Sequence, residues 1–135
     1  MYYLSGIHAL NINCDLETCG DWHQSGIQWS NLVLLDSEKS IYGDYGIETN
    51  KKVPGHTNTC NVANHIRALL DLIQQGNFCT AQGMKENYIC NESYTQEIFQ
   101  KVSVMRNFSN WTDIDGFMTR EYYSKWMEFK EREGL

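Results

Sequence analysis

Along the first dozen residues, MYYLSGIHALNI, Tyr2, Leu4, Leu10 and Ile12 fall on even positions with His8 among them. That alternation predicts a strand with one buried face, interrupted at Gly6. NLVLLDS, residues 31–37, is a continuous apolar run closed by turn residues and predicts a buried strand. IYGDYGIE, residues 41–48, predicts a short hairpin around Gly43 and Asp44, and residues 50–59, with Pro54 and Gly55, predict a loop. The period then changes. Val62, Ile66, Leu69, Leu70 and Ile73 recur at helical spacing from Asn61 to Gln75, with Arg67 and Asp71 on the opposite face and Gly76 as the stop. Residues 77–92 read as a loop with a short strand.

A second helix follows Ser93, with Gln96 as its capping-box partner and Tyr94, Ile98, Val102 and Met105 on one stripe. A third begins near Thr112, with Asp115 as box partner. It carries Trp111, Met118, Tyr122, Trp126 and Phe129 down one side, and an i,i+4 pair of Glu121 with Lys125. Phe117, Tyr123 and Met127 form a second apolar edge, facing either another helix of the domain or another chain, which leaves self-association open. The expected fold is α+β: a small antiparallel sheet from the N-terminal half packed against about three C-terminal helices, in one domain spanning residues 1–135.

Composition narrows the partners. The 135 residues are of single-domain size, 41% hydrophobic and rich in aromatic side chains, so a packed core is expected rather than disorder. A formal charge of −6 without a Lys/Arg run disfavours nonspecific binding to duplex DNA. No apolar run reaches the roughly 18–20 residues of a membrane span, and the first residues lack the pattern of a signal peptide. Five cysteines, Cys14, Cys19, Cys60, Cys79 and Cys90, cannot all pair within one chain. Together these observations predict a reduced, cytoplasmic protein, with Cys79 and Cys90 in the core. The sequons at Asn91, Asn107 and Asn110 then have no glycosylation role, and the last two mark helix starts.

Candidate chemistry concentrates in INCDLETCGDWHQSGIQW, residues 12–29. Cys14, Cys19 and His23 are spaced C-x4-C-x3-H, and His56, Cys60 and His65 show the inverse order. Thiolate and imidazole suit zinc, yet no C-x2-C knuckle occurs, so no metal ligand is assigned and no cofactor is indicated. The acid–base assignment is His8, Asp21 and His23: two imidazoles to exchange protons and a carboxylate to orient one of them. If the chain doubles back after Ile12, His8 meets the other two. Asn11, Trp22 and Trp29 are the ligand-binding candidates, the tryptophans stacking on a planar group, with Ser5 and Thr18 available to a phosphate or ribose. Cys19, near His23, is a further candidate nucleophile. Neither common phosphate-loop fingerprint is present.

Two functions of different classes follow. One is a small enzyme or ligand-binding protein with a His/Asp pocket, acting on a nucleotide, a phosphodiester or another small molecule. The other is a noncatalytic acidic inhibitor or antitoxin-like protein that blocks a basic site on a protein partner. In neither is a membrane or duplex DNA the partner.

Overall fold

The computed structural model describes residues 1–21 and 24–135. Four short strands, β1 (Tyr2–Leu4), β2 (Leu34–Asp36), β3 (Ile47–Lys51) and β4 (Cys60–Ala63), form one sheet in the order β2-β1-β4-β3. The fold is α+β, with the sheet in the N-terminal half and most of the helical structure after it. The pairs β1–β2 and β3–β4 are antiparallel. The central pair is parallel, Leu4 beside Val62, which makes the sheet mixed rather than wholly antiparallel. A helix follows each of these central strands: α1 (Gly6–Leu10) leaves β1 and α2 (His65–Gln74) leaves β4. The two helices pack on each other.

His8 therefore lies on a helix and not on the expected strand. Gly6 adopts φ +63°, a conformation that ends the extended run at Leu4 and that glycine tolerates best. The turn it makes buries Ala9 and Leu10 on one side of α1 and leaves His8 half-buried. The run at 31–37 also departs from expectation: β2 is an edge strand, with Val33 77% and Leu34 42% exposed. No hairpin forms at 41–48. Residues 41–46 are turns instead, and their carbonyls face a buried guanidinium. Arg67 Nη1 donates to Gly43 O at 2.8 Å and Tyr45 O at 2.6 Å, while Nη2 donates to the Tyr3 hydroxyl at 2.9 Å. The polar face of α2 is thus inside the protein, where Arg67 and Asp71 form an ion pair. Asn64 caps α2 by accepting from Arg67 N, because residues 60–63 belong to β4 and not to the helix.

The remaining elements are α3 (Phe78–Ala81), a π-helical turn at Met84–Ile89, α4 (Thr95–Ser103), α5 (Trp111–Tyr122) and α6 (Ser124–Glu133). The π-helical turn stands where a short strand was expected. The predicted third helix is two, because Tyr123 takes φ +52° and ψ −127° between them. Its aromatic stripe still packs as one surface, with Phe99 meeting Tyr122, Trp126 and Phe129 at ring distances of 4.9, 5.1 and 5.3 Å. Of the second apolar edge, Phe117 stacks on Phe78 of α3, whereas Tyr123 and Met127 are exposed. Glu121 accepts from Gly83 N and Lys125 pairs with Glu92, so both charges serve contacts between elements. Among the described residues no helix is long and apolar enough to cross a membrane.

Candidate functional site

The segment after α1 doubles back onto it. Asn11, the C-cap of α1, donates through Nδ2 to Ile7 O at 2.8 Å and to Asp21 Oδ2 at 3.2 Å. Asp21 N donates to Leu10 O at 2.8 Å, and Gly20 N to Tyr88 O at 2.9 Å. Gly20 has φ +71°, and a Cβ there would lie 2.7 Å from Leu10 O and 2.8 Å from His65 Cε1. Only a glycine lets the returning backbone pass this close to both α1 and α2. Asp21 and Asn11 are thereby brought together.

His8 sits one turn before Asn11. Its Nε2 is 2.7 Å from Gln28 O. A carbonyl only accepts, so Nε2 carries the hydrogen and neutral His8 keeps its lone pair on Nδ1. The ring meets Trp29 edge-on at 5.2 Å. His56 Nε2 bonds Trp29 O at 2.5 Å, so two histidines hold residues 28 and 29 against the sequence-distant helix and loop. Trp29 is half-buried against the core, with one part of its ring already given to His8. Trp22 and His23 lie outside the described residues.

The placement of α1 is fixed from beneath. Ser5 and Tyr3 both donate to Asp71 Oδ2 at 2.7 Å, tying the strand and the residue before α1 to α2. Burial, then the neighbouring Asp71 carboxylate, push the Tyr3 hydroxyl well above its ordinary pKa, so it stays a donor.

Cysteine chemistry differs from the sequence expectation. Cys19 and Cys90 form a disulfide, which removes Cys19 as a nucleophile and means that these two are not reduced. Cys90 is exposed at the end of the π-helical turn, and Cys79 is exposed on α3, so neither is a core residue. Among the described residues no three His, Cys, Asp or Glu side chains gather to hold a metal ion. His65, which the zinc spacing grouped with His56 and Cys60, is instead 2% exposed and faces the first cluster. Its Nε2 is 2.8 Å from Ile12 O and its Nδ1 2.6 Å from Thr18 Oγ1, which is 3.5 Å from Cys14 Sγ. Sequence reasoning assigned no role to Cys14 and His65 together. The signal was that both stood among the six zinc candidates, Cys14 in the first cluster and His65 in the second.

No family model matches this chain, and comparisons with curated proteins and with solved structures found no match either.

Proposed function

We propose that the chain is a small enzyme or ligand-binding protein whose site is formed by α1 and the segment returning to it at Asp21, acting on a nucleotide or a phosphodiester. The observation that supports this most directly is the Asn11–Asp21 contact at 3.2 Å, one turn from His8. A carboxylate returned to the helix that carries an imidazole is what the acid–base reading requires. In this reading His8 acts through Nδ1, His23 is its proton-exchange partner, and Asp21 orients an imidazole. Asn11 binds a polar group, and Trp22 and Trp29 cover a base or other planar moiety. The test is turnover of bis-p-nitrophenyl phosphate and of cyclic nucleotides, with equilibrium binding of mononucleotides. His8→Ala and His23→Ala are expected to reduce turnover by about 10²–10⁴-fold, the usual share of general acid–base catalysis. Their melting temperatures should hardly change. Neither turnover nor nucleotide binding by the unaltered protein, or collapse of the fold in both variants, rejects the reading.

A second reading, the acidic inhibitor or antitoxin-like protein, draws on the exposed apolar residues Val33 and Leu34 at edge strand β2, beside Tyr2 at 65% exposure, together with the charge of −6. An unpaired strand edge is a surface another chain can extend. Removing exposed carboxylates should then weaken a partner complex and flatten its salt dependence. A complex indifferent to those changes rejects it.

A further inference from the structure

We propose that Cys14, Thr18 and His65 form a thiolate relay, a reactive site separate from the His8–Asp21 pair, that takes small soft electrophiles and in particular the sulfur of aliphatic disulfides. The hydrogen-bond directions follow from the acceptors. Ile12 O, 2.8 Å from His65 Nε2, only accepts, so Nε2 always carries a hydrogen and any proton gained or lost by the ring is on Nδ1. Nδ1 meets Thr18 Oγ1 at 2.6 Å, and Thr18 Oγ1 meets Cys14 Sγ at 3.5 Å. When the ring is neutral, the thiol donates to the threonine oxygen and the threonine hydroxyl to Nδ1. When the proton passes along, Nδ1–H donates to Oγ1 and the hydroxyl turns to the thiolate. Each polar hydrogen has an acceptor in both states, so transfer needs two short proton hops, Sγ to Oγ1 and Oγ1 to Nδ1, with no heavy atom moved.

The parts differ in exposure as such a site requires. His65 is buried, held by Ile12 O and the close approach of Gly20, whereas Cys14 is only partly buried. Burial alone would raise the thiol, but hydrogen bonding to His65 and Thr18, with the histidine charge, leaves Cys14 below its ordinary value. Burial alone would lower His65, but the Cys14 contact, the Ile12 carbonyl and the Glu48 carboxylate leave it raised. The charged groups facing the pair from β3 and the loop are Glu48, Lys51 and Asp15. Lys51 Nζ lies 3.1 Å from Glu48 Oε1 and 4.0 Å from Asp15 Oδ1. In the exchange step the Cys14 thiolate attacks one sulfur of the disulfide and a new S–S bond forms. The original S–S bond breaks, and the departing thiolate takes its proton from the Thr18 hydroxyl, which the Nδ1–H of His65 replaces.

The test is site-resolved modification of the intact protein by iodoacetamide and by oxidised glutathione, read by peptide mass spectrometry, with exposed Cys79 as internal reference. At about pH 6.5 Cys14 should react about threefold faster than Cys79 or more, because a lowered thiol pKa adds more thiolate than it costs in nucleophilicity. Its pH–rate midpoint should lie below the ordinary thiol value of about 8.5. Thr18→Val should raise that midpoint, and Thr18→Ser, which keeps the hydroxyl, should restore it. A Cys14 midpoint at or above the ordinary value in the unaltered protein overturns the proposal, whether or not the variants fold. So does a midpoint that Thr18→Val leaves in place.

Discussion

Arg67 Nε lies 3.1 Å from Asp71 Oδ1, one helical turn away, and the two side chains are 0% and 4% exposed. The pair is satisfied on every side by Tyr3, Ser5 and the carbonyls of Gly43 and Tyr45. Removing one member leaves a buried charge without its counterion. Arg67→Met and Asp71→Leu should each cost about 3–5 kcal/mol. The double variant should lose less than the sum, because it leaves neither charge behind. Urea unfolding of the four proteins measures the cycle. Single losses under about 1 kcal/mol would mean that the pair is solvated.

Gly20→Ala tests the return of the chain onto α1. The substitution meets a left-handed backbone conformation and a Cβ position 2.7 Å from Leu10 O. Conformational strain of about 1–2 kcal/mol and crowding of about 1–3 kcal/mol should combine to a loss of about 2–5 kcal/mol. Gly43→Ala is the control, with positive φ but nothing within 4 Å of its Cβ. Only strain should appear there, so its melting temperature should fall by less than half as much.

Tyr123 offers a change in the other direction. Its φ is +52° and its side chain is 70% exposed, so little packing is lost with it. Tyr123→Gly should stabilise the protein by about 1 kcal/mol, strain relief exceeding the added freedom of the unfolded chain. A lower melting temperature would show that the ring contributes more than its exposure indicates.

His65 should titrate above the ordinary histidine value of about 6.5 when its ring protons are followed by NMR. The thiolate of Cys14 favours the imidazolium, so Cys14→Ser should move the midpoint down. A raised folded value means that the stabilisation His65 contributes is complete below its unfolded pKa and is lost as pH rises through the folded one. In Cys14→Ser that loss should be smaller and complete at lower pH. An unchanged midpoint would place the cause of the shift elsewhere, in Ile12 or Glu48.

The C-terminal helices were legible because their burial is local. Ile98, Val102 and Met105 on one stripe, or Met118 and Tyr122 on another, face the same neighbours whatever the details of the sheet. The polar face of α2 was not legible. An i,i+4 Arg–Asp pair reads as a solvated face, and only the arrival of Tyr3 and the 41–46 turn converts it into an interior one. His8 was misplaced because period-two alternation does not register a single positive φ at Gly6. For the site, the acid–base assignment was conditional on the chain doubling back after Ile12 to bring His8 to Asp21; the chain does return, and Asp21 meets Asn11. The Cys14–His65 relay escaped notice because its members are far apart in sequence and meet through a threonine, a residue with no motif of its own.

The order of the strands also bears on synthesis from the N-terminus. β1, made before the other three strands, is central in the sheet, between β2 and β4. Its Leu4 finds Val62 only after the chain between them has been produced, about 3–12 s later at ordinary translation rates. Until then Tyr3 and Leu4, wholly buried in the finished protein, have only β2 to pair with. The β3–β4 pair and the helix after it can assemble locally. The first-made of the four strands is therefore covered on its second edge only late, and a growing chain must keep that open edge from foreign strands until β4 arrives.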